Sequence, residues 1–540
     1  MKRFLFAMLV VVMLAAACSG ESDDNADDGG SDLGTSETGS DTDTGGTDTG
    51  TPDTGADTAD TGADGTDPSE ESFDFTVADD PRGEPFTSFQ ADFARDDPFS
   101  SLDEFCVPHA PAADPQATDP GITEETIEIH HIRQQLENLT EIGFGVDVGD
   151  TKLMFEVFVD VINTQCGGIR GRVLDLGFSE YDPLNPDIEQ ARIATCIEAT
   201  EDRDSVVVLN SSGFQGAALL CIAEEHDTAI ITTQGLPLDF YERGAARLFS
   251  VQEGLEEAMV IVAQTAIDNG SLDGATVAVI GADTPGQPEA VADLVGTLTD
   301  GGVDVAVDQT LGCGGQTTCA EGLQAAVSSM AEAGVDAVFA PLNILSLPGL
   351  ISEMSAQGFQ PGDVTFFNGN ANSQDGDLVS SKVAAFGGEA AAALYDGANI
   401  ISASGTGAFN FDEVEPQFNA MCGQTYAENG GVPYDYFDLD ENTPGGMVAS
   451  VCAQVRATAR ALWRAGENPS RADVYDALAG LGPIDINQGR PGSFTPGDQT
   501  APDVAQTMTW TSPCQIPDGA FDENDTCIVS NLDWFEAYQE

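Results

Sequence analysis

The sequence predicts an α/β protein whose folded part is two lobes, each a mostly parallel sheet with helices on both faces. Three observations carry that expectation. From about Ile122, short apolar runs alternate with longer stretches of helical period. Most of the runs are apolar, as strands covered on both faces require. After "ARLFSV" the alternation starts again, so the chain holds two such units of ordinary domain size.

Read from the amino terminus, Lys2 and Arg3 precede "FLFAMLVVVMLAAA", which stops at Cys18. A basic start and an apolar run shorter than the roughly 20 residues of a membrane span make residues 1–18 a signal peptide. The small residues before Cys18 resemble a bacterial lipoprotein cleavage box, although Ala15 stands where such boxes usually carry Leu. Cys18 is the expected lipidation site, and a plain secretory signal is the competing reading. Residues 19–72 are Asp, Gly, Thr and Ser with a loose Asp-Thr-Gly repeat. They cannot bury a core and read as a disordered acidic tether. Residues 73–121 hold Cys106 and several prolines and read as an irregular lead-in.

Lobe one, residues 122–252, runs strand "TIEIHHI", helix "DTKLMFEVFVDVINTQ", strand "RVLDLGF", helix "PDIEQARIATCIEAT", strand "SVVVLN", helix "GFQGAALLCIAEEH" and strand "TAIITT". Lobe two, residues 253–390, repeats the scheme from helix "GLEEAMVIVAQTAIDNG" and strand "TVAVIGA" through strands "VDVAVDQ" and "VDAVFAPL" to strand "VTFFNG". Residues 391–540 supply a long helix, "GGMVASVCAQVRATARALWRAG", a shorter one in "SRADVYDALAGL" and a β segment, "GRPGSFTPGDQTAPDVAQTMTW". These make no third βαβ unit. They read as pieces returned to both lobes, with a C-terminal extension.

Cleavage before Cys18 would leave 16 of the 18 basic residues against 92 acidic ones. Nucleic acid and anionic membrane surfaces are therefore poor partners, and membrane contact is expected through the N-terminal lipid alone. An acidic cleft for cationic solutes competes with adaptation to salt or solubility, and the spread of aspartate along the chain favours the latter.

Eleven cysteines become ten once Cys18 is lipidated, an even number suited to disulfides in an oxidising compartment. Helices "PDIEQARIATCIEAT" and "GFQGAALLCIAEEH" should lie side by side, because successive right-handed crossovers keep their helices on one face. That pairs Cys196 with Cys221. Short loops suggest Cys313 with Cys319 and Cys514 with Cys527. Cys422 and Cys452 flank one helical segment, and Cys106 with Cys166 remains. No metal or cofactor is implied: adjacent His130 and His131 would face opposite sides of a strand.

A search for catalysis finds no G-x-S-x-G elbow, no H-E-x-x-H and no phosphate-binding loop. "GFGVDVG" spaces its glycines wrongly for a dinucleotide fingerprint, and "DLDEN" lacks the glycine of a calcium loop. Polar residues at the carboxyl ends of strands remain, where open α/β sheets bind ligands. They are "NSSG" with Ser211 and Ser212 and "TTQG" with Thr233 in lobe one, then Asp283, Thr284, Asn343, Asn368 and Asn370 in lobe two. Hydroxyls and N–H groups at a helix start suit a carboxylate, and simple helix capping is the alternative.

"INTQCGGIRGRVLDL", residues 162–176, resembles the helix, glycine stop, basic turn and second strand of the type I periplasmic binding proteins, in their leucine/isoleucine/valine-binding branch. The resemblance continues through "NSSG", "TTQG" and "ERGAARLFSV" to "GPIDINQGRPGSFTPGDQ". It implies two Rossmann-like lobes joined by a multi-stranded hinge and closing on a small solute. It also implies that Ser211, Ser212 and Thr233 hold a ligand carboxylate. Amino-acid binders of the family carry Glu after the strand matching "VTFFNGN"; Asn370 stands there and gives a ligand ammonium no counter-charge.

The expected function is therefore a lipid-anchored, extracytoplasmic solute-binding protein, not an enzyme. Its ligand is a small polar or branched organic solute, amino-acid-like, amide or carboxylate, and its partner an ABC permease. Ser211, Ser212 and Thr233 would grip from one side, Asn343 and Asn370 from the other. A ligand-sensing surface receptor and an α/β hydrolase are the rival classes.

Overall fold

A computed structural model describes residues 97–540 apart from 143–146, 315–317, 370–376, 404–407, 410–414, 436–438, 487–489, 515–525 and 537–540. The signal run, Cys18, the tether, the first part of the lead-in and Asn370 lie outside the described residues.

Lobe one runs β1 (Thr126–Gln134), α1 (Thr151–Val161), β2 (Val173–Tyr181), α2 (Ile188–Ile197), β3 (Val207–Asn210), α3 (Ala217–Leu220), β4 (Ala229–Thr232), α4 (Leu238–Gly244) and β5 (Leu248–Ser250). Its five strands are all parallel, in the order β2-β1-β3-β4-β5. Alternate residues feed two apolar layers: Val207 and Leu209 of β3 join the layer that holds α1, and Val208 joins the layer under α2 and α3. Each such aliphatic side chain contributes about 1.5 to 3 kcal/mol by leaving water. At the end of α1 the chain makes a π turn, Ile162–Cys166, and stops at Gly167 and Gly168 with φ of +92° and +69°. A Cβ on Gly168 would overlap the Arg172 carbonyl oxygen, so this corner needs glycine. Cys166 ends the turn and is bonded there to Cys106 of the lead-in.

Lobe two contains α5 (Leu255–Asp268), β6 (Thr276–Ala282), α6 (Gln287–Asp300), β7 (Asp304–Leu311), α7 (Leu323–Ala333), β8 (Ala337–Phe339), α8 (Leu347–Ala356), β9 (Thr365–Asn368), α9 (Asp377–Gly387), α10 (Glu389–Tyr395), β10 (Asn399–Ser402) and β11 (Ala408–Phe409). The chain returns to lobe one as α11 (Gln417–Glu428), α12 (Leu439–Arg464), α13 (Arg471–Ala479) and the hairpin β12 (Gly482–Ile486) and β13 (Arg490–Phe494). It ends in lobe two as β14 (Val504–Thr511) and β15 (Cys527–Glu536). The lobe-two sheet has the order β11-β15-β14-β10-β9-β8-β6-β7. Strands β6 to β10 are parallel, and β14 runs antiparallel to β10.

Among the described residues the chain changes lobe after β5, between β11 and α11, and before β14. The first and third passages lie together. Ser250 N–H donates to the Gln499 carbonyl at 2.9 Å, and Ala501 N–H donates to Ser250 at 2.8 Å. Buried Glu253 accepts from Ser402 Oγ at 3.3 Å and from Ala403 N–H at 3.2 Å. The β segment that reads as one piece in sequence is thus divided: β13 stays with lobe one, while β14 completes the sheet of lobe two.

Among the described residues the structure carries five disulfides, Cys106–Cys166, Cys196–Cys221, Cys313–Cys319, Cys422–Cys452 and Cys514–Cys527. Helix α12 is the buried spine of lobe one, and Cys452 ties it to α11 through Cys422.

Candidate functional site

Three neighbouring parallel strands of lobe one end in polar loops, and short side chains knit those loops together. Asn210 Nδ2 donates to the carbonyls of Ile132 and Ser212, both at 3.1 Å, while its Oδ1 accepts from Thr232 Oγ1 at 2.9 Å. Thr233 Oγ1 donates to the Ser211 carbonyl at 2.9 Å. Ser250 Oγ donates to the Gln234 carbonyl at 2.9 Å. Strand β1 joins from the other side, where His131 Nε2 lies 3.1 Å from Ser211 Oγ.

This rail brings Ser211, Ser212 and Thr233 to one edge, as the sequence suggests, but it turns two of the hydroxyls inward. Ser211 is 1% exposed and Thr233 7%. A threonine proton already directed at a backbone carbonyl leaves only acceptor capacity for a ligand. Ser212 is half-buried and makes no side-chain hydrogen bond among the described residues.

His131, which the sequence reading passed over as a ligand-site residue, is the hidden member. It lies against Phe155, ring centroids 3.9 Å apart, and its Nδ1 is buried without a partner among the described residues. Burial, then the neighbouring His130, holds its pKa well below the usual histidine value, so the ring is neutral. The doublet "HH" within an otherwise apolar strand was the available signal. His130 faces the other layer, 2.9 Å from Ser179 Oγ, and burial pushes its pKa down to about 4. The two rings cannot share an ion.

A hydroxyl 3.1 Å from an imidazole nitrogen is also how a hydrolytic serine is activated. Here Nδ1 has no carboxylate to orient it among the described residues, and the serine is closed to solvent. The pair holds the loop in place; it offers no surface to a substrate.

In lobe two, Asn343 Oδ1 accepts from the N–H groups of Leu345 at 3.1 Å and Ser346 at 3.0 Å, capping the turn into α8. Asp283 accepts from Cys313 N–H at 2.7 Å, and the Thr284 carbonyl accepts from Gln287 N–H at 3.1 Å. Asn368 is buried and donates to the Tyr395 hydroxyl. The side chains of Asp283, Asn343 and Asn368 thus hold the lobe's own backbone or core, and Asn370 is beyond the described residues.

Two α/β lobes, three passages between them and polar loops at the carboxyl ends of their strands define the class. The fold is that of the type I periplasmic solute-binding proteins of ABC transporters. The chain is similar to a solute-binding protein of an ABC transporter from Rhodopseudomonas palustris HaA2, solved with p-hydroxybenzoic acid. The two are 14% identical with a TM-score of 0.54, covering 77% of this chain and 98% of that one. A periplasmic binding protein type 1 from Bordetella pertussis Tohama I matches at 15% identity and a TM-score of 0.52, over 73% of this chain and 98% of that one. A fatty acid ABC transporter substrate-binding protein from Thermomonospora curvata matches at 16% and 0.51, over 78% of this chain and 94% of that one. At these identities the likeness is one of fold. No protein-family model and no curated protein matches the sequence.

Proposed function

We propose that the protein is an extracytoplasmic solute-binding protein, anchored by lipid at Cys18, that captures a small polar or branched organic solute between its lobes and delivers it to an ABC permease. The observation that carries this reading is the fold itself, matched over nearly the whole length of solved solute-binding proteins. The relatives include one solved with p-hydroxybenzoic acid and one named for fatty acids, so amino acids, amides and aromatic or aliphatic carboxylates are the classes to test. Both serine–histidine pairs among the described residues, Ser211–His131 and Ser179–His130, are closed to solvent, which supports binding over turnover.

Native mass spectrometry of the mature chain against amino acids, amides, polyamines, hydroxybenzoates and fatty acids is expected to yield one bound solute per chain. Closure of the lobes should then shrink the radius of gyration in solution scattering. Turnover of an ester or amide panel without stable binding would replace this reading with the hydrolase. For the anchor, Cys18→Ser should move the protein from the membrane to the soluble fraction; equal partition of mutant and parent into detergent would leave a plain secretory signal.

A further inference from the structure

Gln134, the last residue of β1, stands outside the rail of hydrogen bonds that joins the loops of lobe one. Its side chain lies over the loop after β3. A Cβ on Gly213 would overlap Gln134 Oε1 and lie 2.5 Å from its Cδ. Gly213 also has φ of +66°, so both its backbone and the amide packed on it exclude a side chain. Ser212 is its neighbour. Gln134 and Ser212 are half-buried, and neither makes a side-chain hydrogen bond among the described residues. An amide and a hydroxyl with unused hydrogen-bonding capacity thus sit together at the ends of adjacent strands. Ser211 and Thr233 beside them are engaged internally.

The charges around this spot are already balanced. Arg192 reaches the loop from α2 and donates to the Gly213 carbonyl at 3.2 Å, with Glu189 at 2.6 Å to neutralise it. Arg133 lies between Glu180 at 2.9 Å and Glu137 at 2.6 Å. Lys152 sits over the ring of Phe178 on β2, and β2 is on the opposite side of β1 from β3. His131 beneath the loop is neutral.

We propose, resting on the solute-binding reading, that Gln134 and Ser212 are the lobe-one ligand contacts and that they select an uncharged hydrogen-bonding group, a carboxamide or hydroxyl, over a carboxylate. A primary amide can give and take a hydrogen bond at once, and so pairs at two points with another amide. A carboxylate only accepts. It would set lone pairs against Gln134 Oε1 and lose its hydration, while the cations described around this loop are already engaged.

The test uses the mature chain and matched pairs: isobutyramide with isobutyrate, and 4-hydroxybenzamide with 4-hydroxybenzoate, followed by titration calorimetry and native mass spectrometry. The amide of a pair should bind at least about tenfold more tightly, and Gln134→Leu should weaken it by about tenfold or more, the loss expected for one hydrogen bond of this kind. Gly213→Ala, which displaces the Gln134 amide, should weaken it similarly while the melting temperature of Gln134→Leu stays that of the wild type. Preference for the carboxylate, or wild-type affinity in both Gln134→Leu and Ser212→Ala, overturns the assignment and leaves the solute-binding reading intact. A chain that binds no pair member and nothing in the wider panel overturns the solute-binding reading, and this assignment with it.

Discussion

Asp503 shows how much one carboxyl can report about the join between the lobes. It lies on the passage from β13 to β14 and accepts from Ser493 Oγ at 2.9 Å. Burial pushes its pKa up to about 6; Ser493 opposes the shift and Asp498 adds to it. A folded-state pKa above the unfolded value means that the native state holds the proton more tightly. This contribution to stability is full below the unfolded pKa near 4 and is lost as pH rises through about 6. Asp503→Asn keeps an acceptor for Ser493 and removes the titration. Between pH 7 and pH 5 the wild type should therefore gain about 1 kcal/mol relative to the mutant, allowing for partial exposure. Urea midpoints of both proteins at the two pH values measure this difference; parallel behaviour would show that Asp503 is ordinary.

Helix α12 is the element on which lobe one depends, and its buried face is not purely apolar. Arg460 Nε lies 2.8 Å and Arg464 Nε 3.2 Å from Asp97 Oδ2, and Arg456 donates to the Phe99 carbonyl at 2.6 Å. Arginines four apart fall on one stripe of the helix, and that stripe clamps the lead-in. Breaking a buried ion pair by removing one partner leaves an uncompensated charge and costs about 3 to 5 kcal/mol. Asp97→Ala is expected to cost about that much in the unfolding of lobe one and to expose the segment around Cys106 to limited proteolysis. A loss under about 1 kcal/mol would mean that water already reaches Arg460. The sequence displayed the helix clearly, but nothing in "RATARALWR" shows that its cations meet an acid at the start of the domain, more than three hundred residues away.

For the whole molecule the governing quantity is a net charge of −74. Every arginine among the described residues holds a carboxylate or a backbone carbonyl, as Arg172, Arg203 and Arg471 illustrate. The cations therefore serve internal contacts, and the surface acids are largely left to repel one another. Self-repulsion of this kind destabilises the compact state and is screened over about 10 Å at 0.1 M salt. The melting temperature should rise by several degrees between about 0.05 and 1 M sodium chloride. A flat or falling curve would mean that the acids are spaced beyond mutual reach.

What the sequence determined by itself was the fold class, because apolar periods of two and of 3.6 residues are local and declare strands and helices without reference to the rest of the chain. It also placed hydroxyls and amides at strand ends, while of the five cysteine pairs the structure carries it suggested one from crossover handedness, two from short loops, one from flanking a helix and one only as the remainder. The fate of each hydroxyl was decided only in three dimensions. Ser211 meets His131 across 80 residues and Thr233 meets Ser211 across 22, so local pattern cannot say which proton is engaged and which is left for a solute. Nor could it show β14 leaving β13 for the other lobe, or Gln134 seated on Gly213. A hydrogen bond is fixed within a few tenths of an ångström, and that precision arises only when distant strands settle into register.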